Sequence, residues 1–146
     1  MSEQPIQVRI KRRFSASPER VFDAWLDPTM IGQWMFGPAL REEEVLRIAV
    51  DARVGGSFSF LVRRQQQELD HVGKYLEIDR PRRLAFSWGI GTASEEESRV
   101  TIDIAPQGAG CELTLTHRMH PKWAEYAGRT EAGWTRMLDE LAKALS

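Results

Sequence analysis

The chain has 146 residues, 42% of them hydrophobic and 28% charged, with a formal net charge of −1. That length and balance are ordinary for one globular core, with no internal repeat or low-complexity linker, while near-neutrality leaves no global field to drive nucleic-acid or membrane binding. A single cysteine, Cys111, excludes an intrachain disulfide and a cysteine-cluster metal site. No apolar signal core opens the chain, and no apolar run is long enough to span a bilayer. The expectation is a single domain over residues 1–146, cytoplasmic, with no membrane insertion and no nucleic-acid partner.

Ile6, Val8 and Ile10 alternate with Gln7, Arg9 and Lys11, the period of a half-buried strand that Phe14 continues. Ser17-Pro18-Glu19-Arg20 then reads as a helix start: a capping hydroxyl, a proline suited to the first helical position, and an acid at the positive end. Val21, Phe22, Trp25 and Leu26 form its apolar face. Asp27-Pro28 repeats the signal for a second short helix through Met30, Ile31 and Trp34, with Gly37-Pro38 as its stop.

The middle of the chain predicts strands. Val45–Val50 leads to a Gly55-Gly56 turn and then Ser57–Arg63, where Phe58, Phe60 and Val62 share a face. Gln65–Glu68 is polar and reads as a hairpin loop. His71–Ile78 follows, with Gly73 as a candidate bulge. After Pro81, Leu84, Phe86 and Trp88 alternate with Ala85 and Ser87. An acidic loop at Glu95-Glu96-Glu97 precedes Val100, Ile102 and Ile104 on one face of a further strand. Gly108-Ala109-Gly110 turns into Cys111–Met119, with Cys111, Leu113, Leu115, His117 and Met119 in phase.

From about Trp123 to Leu145 the spacing predicts a helix whose stripe is Tyr126, Thr130, Trp134, Met137, Leu138, Leu141 and Leu145. Arg129, Glu131, Arg136, Asp139, Glu140 and Lys143 supply its wet side. Gly133 is read as a point of close approach to another element. Hairpin strands beside segregated helices give an α+β domain with an antiparallel sheet of about six to seven strands. One strand face needs a cover, and the last helix is the long amphipathic element available. A bent sheet closing on one helix leaves a cavity between them, open or plugged according to side-chain volume.

With these elements in order, the chain resembles the activator-of-heat-shock-protein-ATPase homologue (AHSA-type) family of the START-like superfamily, also called SRPBCC. The segments that carry the resemblance are Phe14-Ser15-Ala16-Ser17-Pro18-Glu19-Arg20-Val21-Phe22-Asp23-Ala24-Trp25, Gln33-Trp34-Met35-Phe36-Gly37-Pro38 and Asp51-Ala52-Arg53-Val54-Gly55-Gly56-Ser57-Phe58. Gly73-Lys74-Tyr75-Leu76-Glu77-Ile78, Pro81 with Leu84, Phe86, Ser87 and Trp88, Leu113–His117, and Gly133-Trp134 complete it. The resemblance implies the helix-grip, birch-pollen-allergen-like fold. That superfamily includes lipid carriers, plant hormone binders, polyketide cyclases and chaperone cofactors, and fold alone does not choose between them. The expectation taken forward is a protein that binds a small hydrophobic or amphipathic ligand. The alternatives are a module stimulating a heat-shock chaperone ATPase in a stress response, and a polyketide-cyclase-like enzyme. Exposed strand edges leave monomer and homodimer both open.

The candidate ligand-binding residues are Trp34, Phe36, Phe58, Phe60, Phe86, Trp88 and Leu115, then His117, Tyr126, Thr130, Trp134 and Met137. The aromatic members either line a pocket, with indole and phenol tips as polar handles, or form the core. His117, in phase with Leu115 and Met119, needs a partner if buried, since an orphan costs about 1–3 kcal/mol. It is either a satisfied structural histidine or a ligand contact or acid/base. Arg12 interrupts the apolar phase of the first strand. Family resemblance suggests a structural ion pair there, with Glu77 and Asp79 as candidate partners. Among His71, His117 and His120 no zinc-type spacing occurs. A Gly-x-Ser-x-Gly elbow and a phosphate-cradling glycine loop are also missing. No catalytic residue, metal or cofactor is assigned, and Cys111 reads as a small core residue.

Overall fold

A computed structural model describes residues 6–36, 43–90 and 98–145. The Gly37-Pro38 stop and the acidic loop at Glu95-Glu96-Glu97 lie outside these residues. Strand β1 (Ile6–Phe14) is followed by helices α1 (Pro18–Asp23) and α2 (Pro28–Trp34). Strands β2 (Glu44–Val50), β3 (Ser57–Arg64), β4 (Gln67–Asp79), β5 (Arg83–Ile90), β6 (Ser98–Gln107) and β7 (Gly110–Met119) come next. A 3-10 turn (Pro121–Tyr126) leads into the long helix α3 (Ala127–Ala144).

The strands form one antiparallel sheet in the order β1-β7-β6-β5-β4-β3-β2. Six strands meander from β2 to β7, and β1 joins the far edge beside β7. The chain must therefore cross from one edge to the other between β1 and β2, which is the stretch that holds α1 and α2. Both helices start as their sequences dictate. The Ser17 hydroxyl accepts from the Arg20 N–H at 3.3 Å, and the Asp27 carboxylate accepts from the Thr29 N–H at 2.9 Å. Val21 and Phe22 of α1 and Ile31 and Trp34 of α2 are buried.

The strand phases hold in three dimensions. Val100, Ile102, Ile104, Cys111, Leu113, Leu115, His117 and Met119 all point into the concave side and are buried. Helix α3 lies across that side and buries Trp134, Leu138 and Leu141, with Leu145 just beyond its end. The interior joins sheet, short helices and α3 into one core cluster. Among the described residues no helix is long and apolar enough to cross a membrane.

Four details differ from the sequence reading. The β3–β4 turn is only Gln65-Gln66, both at positive φ (53° and 65°), so Gln67 and Glu68 already belong to β4. The register shift of β4 falls between Tyr75 and Glu77, not at Gly73. Gly73 serves close approach instead: a side-chain carbon there would overlap the Ser87 carbonyl oxygen and sit 2.6 Å from Phe58 Cζ. The segment from Trp123 to Tyr126 is 3-10 rather than α-helical, so α3 begins at Ala127. Gly133 makes no close approach, since nothing lies within 4 Å of a side-chain carbon built on it.

Two stability changes follow. Gly73→Ala forces β4 away from Phe58 and β5 and is expected to cost about 3 kcal/mol in chemical denaturation. Replacing Gln65-Gln66 by Asn-Gly suits a turn with two left-handed residues and is expected to raise stability by about 1 kcal/mol. A neutral result for the first change would mean the β4–β5 contact is looser than described.

Candidate functional site

The side chains that point inward from β3 and β5 meet α3 through rings. On the sheet side Phe58 stacks on Phe60 with centroids 4.7 Å apart, and Phe58 lies 5.6 Å from Phe86 and 5.9 Å from Trp88. Trp88 continues the series to Trp134 of α3 at 5.5 Å, and Trp134 to Trp25 at 5.9 Å. The edge-on and tilted geometries suit ring quadrupoles. Trp34 is fully buried beneath this array and donates its indole N–H to the Ala24 carbonyl at 3.0 Å.

A chain of hydrogen bonds crosses the same region. The Trp134 indole N–H donates to His117 Nδ1 at 2.9 Å. His117 Nε2 lies 2.6 Å from the Ser98 hydroxyl, which in turn lies 2.9 Å from the Trp88 carbonyl. An indole only donates and a carbonyl only accepts. The proton of the neutral imidazole therefore sits on Nε2 and is given to Ser98 Oγ, whose own hydrogen goes to Trp88. Both ring nitrogens are thereby used inside the protein. Burial lowers the His117 pKa to about 4, so the ring is neutral at pH 7. A proton added at Nδ1 would also face the indole N–H. His117 is thus a satisfied structural histidine that fixes α3 to β7, rather than an acid/base.

Above this floor lies a solvent-open cavity of about 390 Å³ between the sheet and α3. Phe36, Trp88 and His117 line it from the sheet side and from the end of α2, together with Arg64 and His71. Tyr126, Arg129, Thr130, Gly133, Trp134 and Met137 line it from the helix side. Of the residues expected from sequence, Phe36, Trp88, His117, Tyr126, Thr130, Trp134 and Met137 border the cavity. Trp34, Phe58, Phe60, Phe86 and Leu115 are packed in the solid core below and do not reach it. Met137 and Thr130 are half-buried and Tyr126 is exposed at the rim.

Four lining residues escape the sequence reading. His71 is buried, its Nδ1 lies 3.1 Å from the Phe60 carbonyl oxygen, and its ring lies 4.9 Å from Phe36 and 5.5 Å from Trp88. The signal for it was present, because His71 shares the phase of Tyr75 on β4. Gly133 leaves the helix face open at the cavity. Arg64, at the end of β3, is held by the Glu43 carboxylate at 2.7 Å. Arg129 lies with its guanidinium carbon 5.7 Å from the Tyr126 ring centroid, and among the described residues no ion pair engages it. No signal in one strand or helix brings these last two to a common opening.

Arg12 is corrected. Its partner is Asp139 of α3 at 3.0 Å, not Glu77 or Asp79, and both side chains are close to half exposed. Glu77 instead pairs with Arg83 at 2.7 Å. The pair is a surface tie between β1 and α3 and gives the cavity no charge. Cys111 is buried in the core, with its thiol 3.6 Å from the Ala16 carbonyl oxygen. Among the described residues no three His, Cys, Asp or Glu side chains are placed to hold a metal ion.

A family model described as Activator of Hsp90 ATPase homolog 1-like protein matches residues 15–146. A crystal structure of a protein from Chromobacterium violaceum is 29% identical, covering 95% of this chain and 96% of that one, with a TM-score of 0.82. The protein CalU16 from Micromonospora echinospora is 26% identical over 97% of this chain and 77% of its own, with a TM-score of 0.71. A Staphylococcus aureus protein of unknown function is 18% identical, covers 97% and 94% of the two chains and has a TM-score of 0.83, a likeness of fold alone. Curated proteins give no match to this chain.

The buried histidine makes a pH prediction. An unfolded chain binds the imidazole proton below about pH 6.5, whereas the folded chain binds it only near pH 4. The stability His117 contributes is therefore complete above pH 6.5 and is lost as pH falls toward 4, on the order of 3 kcal/mol in all. Proton–nitrogen correlation NMR is expected to show the Nε2–H tautomer unchanged from pH 8 to pH 5. A His117 midpoint near 6.5 would refute the hydrogen-bond chain.

Proposed function

Because the chain belongs to the Activator of Hsp90 ATPase homolog 1-like family, whose fold serves both ligand binding and chaperone work, we propose that it binds a small hydrophobic or amphipathic molecule between the sheet and α3. The observation that carries this reading is the cavity itself. Its volume of about 390 Å³ lies toward the lower end of the range of small-molecule sites. Its walls join apolar rings (Phe36, Trp88, Trp134) and Met137 to polar groups near the rim, the mixture that ligand pockets use for affinity and orientation. Gly133 adds support. A helix interior ordinarily disfavours glycine by about 1 kcal/mol relative to alanine. Here the missing side chain is what leaves the helix face open at the cavity.

An enzymatic reading of the cyclase kind draws no support from the residues first considered for it. Both nitrogens of His117 are occupied, and Arg12 is engaged at the surface. A second reading, contact with a heat-shock chaperone, is supported by the family description and requires no cavity.

Gly133→Leu separates these readings. Leucine fills the opening and is a better helix former, so the variant is expected to gain about 1 kcal/mol in stability while losing binding of small aromatic and aliphatic probes, read by calorimetry. Stimulation of a chaperone ATPase, if it belongs to this protein, is expected to survive the substitution. Unchanged probe binding in a stabilised Gly133→Leu protein would sink the cavity reading.

A further inference from the structure

We infer that the cavity selects an anion, a carboxylate carried on a compact planar aromatic body, and that Arg129 receives the carboxylate; the inference rests on the cavity being a ligand site. The argument begins with the charges around the opening. Two arginines and two histidines line the cavity, and no aspartate or glutamate does among the described residues. Arg64 is already neutralised by Glu43, whose side chain is fully buried against it. Arg129 differs from Arg64: among the described residues no ion pair engages it. Among the described lining residues the charge that remains is therefore the positive one of Arg129.

Geometry adds direction. The Tyr126 ring beneath the Arg129 guanidinium restrains its plane, and a restrained guanidinium offers two parallel N–H donors that match a carboxylate. Thr130, one residue along α3, points its hydroxyl at Met119 Sδ at 3.8 Å, a weak acceptor that a carboxylate oxygen displaces readily. Below the rim the rings of Trp88, Trp134 and Phe36 supply apolar faces, the Trp134 indole N–H is already given to His117, and His117 offers no free nitrogen. That floor suits a flat apolar body. The small volume favours a one- or two-ring acid over a long-chain lipid.

The test compares 2-naphthoate with its neutral isostere 2-naphthamide by isothermal titration calorimetry on the full chain, at low and high salt. The expected result is naphthoate binding about tenfold tighter than naphthamide, with the difference shrinking at high salt. Arg129→Gln is expected to remove that tenfold preference, with the acid losing far more affinity than the amide. Arg136→Gln, the same charge change on the wet side of α3, is expected to keep the preference. Equal binding of acid and amide to the unaltered protein would overturn the anion inference while leaving the cavity reading standing. So would a loss in Arg136→Gln as large as that in Arg129→Gln, which would point to a long-range field rather than contact. Binding of neither compound, together with no effect of Gly133→Leu on any probe, would overturn the cavity reading and this inference with it.

Discussion

The hydrogen bond from the Trp134 indole to His117 Nδ1 is the contact on which the rest of the arrangement depends. It joins the long helix to the last strand at a buried point, where an unmatched donor or acceptor costs more than a matched pair contributes. Through Ser98 and the Trp88 carbonyl it extends to two further strands, so one polar chain fixes α3 against β7, β6 and β5. The polar ends are all satisfied within the protein, and the ring remains neutral. A network of this kind constrains geometry: α3 cannot slide along the sheet without orphaning several buried groups at once.

That anchor explains why the helix both seals and opens. Beyond Trp134, Leu138, Leu141 and Leu145 are buried in the core, so the second half of α3 closes on the sheet. Before it, Gly133, Thr130 and Arg129 bring small or polar groups to the same stripe, and the space between helix and sheet stays unfilled. Around the outside, the charges mostly answer one another across strands. Arg83 reaches both Glu77 and Asp103, and Arg80 engages Asp23 through two hydrogen bonds of 2.7 and 2.9 Å. These exposed pairs contribute little individually to stability. Among the described residues none of these pairs involves Arg129, which lies beside the cavity.

Much of this was legible in the chain. Period-two alternation identified the buried face of β1, β3, β5, β6 and β7, and the paired Ser-Pro and Asp-Pro starts located α1 and α2. His117 was legible as an inward residue because it keeps step with Leu115 and Met119. The turn at Gln65-Gln66 was less so, since glutamines at positive φ carry none of the usual glycine or asparagine signal. The start of α3 was misread because Tyr126 keeps step with the helical stripe in sequence, whereas the backbone there is tightened into a 3-10 turn. Gly73 was legible as special, but its reason, the Ser87 carbonyl and the Phe58 ring against its backbone, belongs to neighbouring strands.

The sequence by itself determined the order of the elements, their family and the inward phase of each strand, because these follow from local periodicity and local capping. Only the tertiary structure decided which inward rings are core and which face empty space. Trp34, Phe58, Phe60, Phe86 and Leu115 are as apolar and as well phased as Trp88 and Trp134, yet they lie on the filled side of the boundary. The boundary depends on the distance between sheet and helix at each level, and that distance is set by cross-strand register and by residues far apart in the chain. The same holds for charge. Asp139 reaches Arg12, Glu43 reaches Arg64, and Arg129 is left at the rim, by a placement no single segment encodes.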